Sequence, residues 1–155
     1  MGVSIARQED PAASRRLLED LTARLPEWFG QPASNRRYAE QAEILDAWTA
    51  GVDGNARGLL LLKRHSAVSA EIYWLGIDPA HHRQGLGQTL VGAIERQLRQ
   101  EGLKYLFVMT LHPDDPYEPY RRTRAFYERL GFELVLTRDP PGSPPNPLAY
   151  YLKPL

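Results

Sequence analysis

Apolar residues recur along this chain at two spacings, every second position and every third or fourth, and the places where one gives way to the other predict an ordered series of strands and helices. Val3 to Arg7 reads as a short strand. Pro11 to Leu25 reads as a helix with Leu17, Leu18, Leu21 and Leu25 on one face, broken by Pro26-Glu27-Trp28-Phe29-Gly30. A second helix is expected over Ser34 to Glu43. Strands follow at about 44 to 50 and 57 to 64, joined by the turn Val52-Asp53-Gly54-Asn55. Ala70 to Ile77 is aromatic and β-branched enough for a strand, which Asp78-Pro79 stops. Leu90, Val91, Ile94 and Leu98 make one stripe of a helix over 87 to 100, ended by Gly102. Lys104 to Thr110 reads as a buried strand and Tyr117 to Leu130 as the last helix, capped by Gly131. Phe132 to Thr137 starts a strand, 139 to 147 is a stiff proline-rich loop, and Leu148 to Lys153 closes the series. The order β-α-α-β-β-β-α-β-α-β-β specifies an α/β chain on a mixed sheet, without internal repeats.

Between the strand ending at Ile77 and the helix starting near Gly87 lies His82-Arg83-Gln84-Gly85-Leu86-Gly87. Two glycines let the backbone approach a ligand closely. The first helical turn then offers unpaired N–H groups and the positive end of the helix dipole, so the layout is that of an anion cradle for a phosphorylated ligand, or else an ordinary strand-to-helix turn. A Rossmann fingerprint would need a third glycine where Leu90 stands, and a Walker A loop would need Gly-Lys-Ser/Thr; neither is present.

Composition narrows the ligand. At 155 residues, with 43% hydrophobic and 25% charged side chains, the chain is expected to be one domain, 1–155, able to bury its own core. Nineteen basic residues balance nineteen acidic ones, so no overall field attracts a nucleic-acid backbone or an anionic membrane. The absence of cysteine removes disulfides, thiolate catalysis and cysteine-based zinc sites. No apolar leader or membrane span is seen, and a cytoplasmic setting is expected. His65, His81, His82 and His112 lack metal-ligand spacing, and no metal is expected.

The segment from Ala70-Glu71-Ile72 through Gly87, followed by Thr123-Arg124-Ala125-Phe126-Tyr127-Glu128-Arg129-Leu130-Gly131-Phe132, resembles the GNAT superfamily of acyl-CoA-dependent N-acyltransferases. The order of elements is similar to that family over nearly the whole chain. The resemblance implies a GNAT-like α+β fold: a mixed, mostly antiparallel central sheet of about seven strands flanked by about four helices. It implies acetyl-CoA as cosubstrate, with the diphosphate on the amides of Arg83, Gln84, Gly85, Leu86, Gly87 and Gln88, and the pantetheine arm along the backbone of Trp74, Leu75 and Ile77. Two positions depart from the family pattern. His82 stands where Gln or Arg is usual, so affinity for the diphosphate is expected to fall as pH rises through the histidine range. Tyr120 stands where many members carry Asn, seven positions before Tyr127, which puts side-chain contacts to the pantetheine from that position in doubt.

Acyl transfer to an amine sets two chemical demands. At pH 7 a primary amine of pKa ~10.4 is neutral in about one molecule in 2500, and only that form can attack a thioester. Strand alternation puts Glu71, Tyr73, Leu75 and Ile77 on one face, near the cradle, and some histone acetyltransferases of the superfamily place their general base at the position matching Glu71. The same residue also reads as a salt-bridged strand carboxylate. The leaving thiolate must gain a proton, and the family keeps a tyrosine for this role at the position of Tyr127, which also falls on a helical core stripe with Thr123 and Leu130.

The acceptor is less defined. Trp28, Phe29 and Tyr73 are candidates for its pocket wall or are core aromatics. The acidic loop 112–119 either attracts a cationic amine or is simply solvated. Thr123 and Arg124 are candidate coenzyme contacts, Arg124 toward the phosphates, with a helical surface as the alternative for the basic cluster. The expected function is acetyl transfer from acetyl-CoA to a primary amine of a small molecule or a polypeptide. The alternative is a non-catalytic acyl-CoA or nucleotide-binding sensor module. Homodimers are frequent in the resembling family, although no exposed apolar stripe in the sequence identifies an interface.

Overall fold

The computed structural model describes residues 2–138 and 148–155, so the proline-rich stretch 139–147 lies outside the described residues. Strand β1 (Val3–Gln8) leads into helix α1 (Pro11–Arg24). The helix starts there because proline is tolerated at its first position and Asp10 caps it, accepting the Ala12 N–H at 3.0 Å. Its leucine stripe turns inward as expected, with Leu18, Leu21 and Leu25 all buried. Helix α2 (Pro32–Ala42) begins before the expected Ser34, again with proline in its first turn. Strand β2 (Asp46–Val52) starts later than expected, because Ile44 and Leu45 give their N–H groups to the Gln41 carbonyl and finish the helix instead. Asp53 and Gly54, at φ 50° and 87°, then form the two-residue turn into β3 (Asn55–Arg64).

Beyond the hairpin come β4 (Ser69–Ile77), a short 3-10 turn at Pro79–His81, α3 (Leu86–Gln100), β5 (Tyr105–Leu111), α4 (Glu118–Arg129), β6 (Glu133–Arg138) and β7 (Leu148–Pro154). The strands form a seven-stranded sheet in the order β1-β2-β3-β4-β5-β7-β6. The pairs β1/β2, β2/β3, β5/β7 and β6/β7 are antiparallel, and β4/β5 is parallel. With four α-helices among the described residues, this is the mixed, mostly antiparallel architecture expected from the sequence.

Contacts within the chain divide it into two compact units, Met1–Lys63 with Tyr73–Gln97, and Arg64–Ile72 with Leu98–Leu155. In the first, Leu18 and Leu21 of α1, Ala39 and Ala42 of α2, and Ala47, Leu59, Leu61 and Trp74 of the sheet form a buried cluster. A fully buried leucine contributes ~1.5–3 kcal/mol. An exposed ion pair such as Arg7–Asp46 (2.9 Å) contributes at most about 1 kcal/mol, so the leucines dominate this unit's stability. In the second unit Ala70, Ile72, Leu106, Val108, Phe132, Ala149 and Tyr151 are buried. Strand β6 exposes its side chains, and the register shift between Leu134 and Leu136 bends it, which discourages pairing with foreign strands. No helix among the described residues is long and apolar enough to cross a membrane.

Candidate active site

The cradle is built on the end of β4. Asp78, buried in a turn that proline imposes, accepts the Ala80 N–H at 2.9 Å through one carboxylate oxygen. The other oxygen lies 2.8 Å from Arg24 and 3.6 Å from Arg57, while the Asp78 N–H donates to the Arg57 carbonyl at 2.7 Å. One carboxylate thus ties α1, β3 and the turn entering the cradle. Asp78→Ala removes a charge-assisted hydrogen bond and leaves the Ala80 N–H without its partner. The expected loss is ~2 kcal/mol of stability, read as a lower urea midpoint at unchanged m; a change under ~0.5 kcal/mol would contradict this role.

His82 follows, its ring nitrogen Nε2 2.8 Å from the Ile77 carbonyl. A carbonyl only accepts, so Nε2 carries the proton, and this bond persists whether or not the ring is charged. The Trp28 ring meets His82 edge-on at 5.9 Å. Arg83 then adopts φ 64°, rare for a residue with a side chain, and Gly85 adopts φ 75°. Left-handed residues in a turn are the backbone form of anion-binding concavities, and their strain is a mark of functional sites. A Cβ built on Gly85 would meet nothing within 4 Å, so the backbone here borders open space. The Thr89 N–H donates to the Gly85 carbonyl at 3.0 Å, which leaves the amides of Leu86, Gly87 and Gln88 in the first turn of α3 without a carbonyl one helical turn back. These residues suit an anion such as a diphosphate.

Upstream, β4 alternates as the sequence predicts: Glu71, Tyr73, Leu75 and Ile77 are half-buried, and Ala70, Ile72, Trp74 and Gly76 are buried. Trp74 stacks on Phe29 with centroids 5.1 Å apart. Tyr73 meets Tyr38 edge-on at 5.9 Å, and the Lys63 ammonium lies 5.9 Å from the Tyr73 ring. Phe29 and Tyr73 therefore pack against the cluster in the first unit's core, whereas Trp28 stands against the cradle histidine.

In the second unit, Glu71 lies 2.7 Å from Nε2 of His65. The turn that links β3 to β4 closes when the His65 N–H donates to the Ser69 carbonyl at 3.1 Å. That bond makes Glu71 the diagonal neighbour of His65 across the hairpin. Phe107, the register partner of Glu71 on β5, holds the imidazole at a centroid distance of 5.1 Å. Tyr127 is 4% exposed, between the rings of Phe126 and Phe132 at 5.1 and 5.4 Å. Burial raises its phenol well above the ordinary tyrosine value, so the hydroxyl stays protonated throughout the neutral range.

The buried phenol also sets a pH dependence. In the unfolded chain Tyr127 ionises near pH ~10, while the folded chain resists, so the unfolded state binds fewer protons and stability falls as pH rises from there. The slope attributable to one such tyrosine approaches ~1.4 kcal/mol per pH unit. Urea midpoints taken from about pH 9 to about pH 11 should fall more steeply in the native chain than in Tyr127→Phe. Parallel curves would show that burial does not hold the phenol neutral.

Arg124, buried on α4, donates to the carbonyls of Leu111 (3.3 Å), Pro113 (3.5 Å) and Asp115 (3.1 Å). It braces the loop after β5. Thr123 returns its hydroxyl to the Pro119 carbonyl at 3.1 Å, and the Tyr120 ring lies 6.0 Å from that of Tyr117. Among the described residues no three His, Cys, Asp or Glu side chains are grouped so as to hold a metal ion. Three features escaped the sequence: the His65 partner of Glu71, the hub role of Asp78, and the bracing by Arg124. A histidine six positions before a strand carboxylate, across a short turn, would have flagged the first. The others depend on tertiary contacts.

Residues 14–132 match the model of the acetyltransferase (GNAT) family. Mycothiol acetyltransferase of Thermomonospora curvata is 30% identical over 137 residues, which cover 86% of this chain and 40% of that protein. The chain thus spans less than half the length of this curated relative. A GNAT-family structure from Desulfovibrio desulfuricans superimposes with a TM-score of 0.84 at 20% identity, covering 99% of both chains. A GNAT acetyltransferase from Elizabethkingia anophelis, solved with acetyl-CoA bound, superimposes with a TM-score of 0.74 at 14% identity over 99% of this chain and 98% of that one. The strand, cradle and final helix singled out above all fall in the matched region, and the chain belongs to the acetyltransferase (GNAT) family.

Proposed function

We propose that residues 1–155 act as one N-acetyltransferase-like domain that moves an acetyl group from acetyl-CoA to a primary amine of a small molecule or polypeptide. The observation that carries this reading is the left-handed backbone at Arg83 and Gly85 leading into the open first turn of α3, inside a family match of 119 residues by its bounds, 14 to 132. The amides of residues 83 to 88 hold the diphosphate, and the backbone from Trp74 to Ile77 pairs with the pantetheine arm. Trp28 extends the wall beside the cradle. The cytoplasmic setting expected from the cysteine-free sequence belongs to the same proposal.

Glu71 takes a proton from the ammonium form of the acceptor, leaving the nitrogen lone pair free to form the C–N bond at the thioester carbon. The C–S bond then breaks. Tyr127 gives its proton to the departing sulfur and recovers one from the nitrogen as the amide forms, so the net products are amide, free thiol and one proton. Thiol release tests the reading: a panel of small-molecule amines and short peptides is offered with acetyl-CoA, and amine-dependent free thiol is expected from at least one. Saturable acetyl-CoA binding with no turnover across the panel would overturn it in favour of the sensor module.

A further inference from the structure

Acetyl transfer to an ammonium group releases one proton per turnover, and that proton first rests on Glu71 if Glu71 is the base. The Glu71 side chain is only 12% exposed, whereas His65, 2.7 Å away, is 36% exposed. The carboxylate therefore has a partner that reaches solvent more freely than it does. We propose that His65 is the proton exit for Glu71, a positioning and relay residue that acts through the carboxylate; this rests on the reading of Glu71 as general base.

Three features fix the ring in that place. The His65 N–H is bonded to Ser69 in the turn, its imidazole leans on Phe107, and Nε2 points at the Glu71 carboxylate. The neighbouring Arg64 lies 3.0 Å from Glu101. From β5 the ring meets an aromatic side chain, so Glu71 is the carboxylate in contact with it. At rest Nε2–H donates to the carboxylate, which only accepts. In the step, the acceptor N–H bond breaks and an O–H bond forms on Glu71. Once Glu71 is protonated the ring exchanges to its Nδ1–H tautomer through water, the Nε2 lone pair takes the Glu71 proton, and the imidazolium loses its Nδ1 proton to water, which restores the Nε2–H ring and the carboxylate for the next turnover. Histidine suits this task because it gains and loses protons near neutral pH.

The test compares His65→Gln, His65→Ala and Glu71→Gln in the full chain. Glutamine can still hydrogen-bond Glu71 but cannot carry a proton, so His65→Gln should lower kcat about tenfold, with acceptor KM and acetyl-CoA affinity within about twofold. Added imidazole should restore much of the lost rate in His65→Ala. A readout independent of turnover is the ring nitrogen resonances of His65, which should shift in Glu71→Gln. Wild-type kcat in His65→Gln, beside a large loss in Glu71→Gln, would overturn the relay while leaving Glu71 as base. Wild-type kcat in Glu71→Gln would instead overturn the reading on which the relay rests.

Discussion

Glu71→Gln is expected to lower kcat by about 10²-fold or more while leaving acetyl-CoA affinity within about twofold. The substitution keeps the size and planarity of the side chain and an oxygen able to face His65, now 2.7 Å from the carboxylate. What it removes is basicity. At pH 7 only about one amine molecule in 2500 carries a lone pair, so losing the proton acceptor returns the reaction to that small fraction. A carboxylate held in an ion pair for structural reasons alone would give the opposite pattern: stability would fall and kcat would stay near wild type. Measuring kcat and a thermal midpoint on the same preparation separates the two. Turnover within about twofold of wild type would remove Glu71 from the chemistry.

Tyr127→Phe is expected to lower kcat at least about tenfold, again with little change in acetyl-CoA affinity. The phenol is buried and held protonated, the state a general acid needs before it donates. Phenylalanine keeps the edge-to-face contacts to Phe126 and Phe132 and removes only the hydroxyl, so the packing role of the residue survives. If Tyr127 were only a core aromatic, the variant would turn over like wild type. Because the thiolate forms late, the deficit should shrink for acyl donors whose leaving thiol is more acidic. An equal deficit for all donors would contradict proton donation to sulfur.

Local chemistry makes most of the architecture legible in the sequence. The Asp53-Gly54 pair specified its hairpin because few residues tolerate both left-handed positions. The Leu90, Val91, Ile94 and Leu98 stripe specified the buried face of α3. Boundaries slipped where a helix competed with a strand for the same residues: Ile44 looks like the start of β2 by its side chain, yet its N–H is already committed to Gln41, and it ends 72% exposed. The turn between β4 and α3 was legible from its glycines and from the helix that follows. The left-handed Arg83 was not, since nothing about an arginine side chain announces positive φ. Arg124 shows the same limit from another side. A basic cluster on a helix reads as solvated surface, but this guanidinium is buried where the carbonyls of Leu111, Pro113 and Asp115 converge on it. Such contacts join residues 9 to 13 positions apart through a loop whose path the sequence does not state.

The cradle can be interrogated amide by amide. Titrating isotope-labelled protein with acetyl-CoA, and in parallel with an S-acetyl pantetheine that lacks the diphosphate, reads the backbone N–H of Gln84, Gly85, Leu86, Gly87 and Gln88 in solution. Saturable downfield movement of these amides with acetyl-CoA, absent with the shorter thioester, is the expected outcome. Saturable binding of acetyl-CoA that leaves those five amides unmoved would show that the diphosphate is held elsewhere.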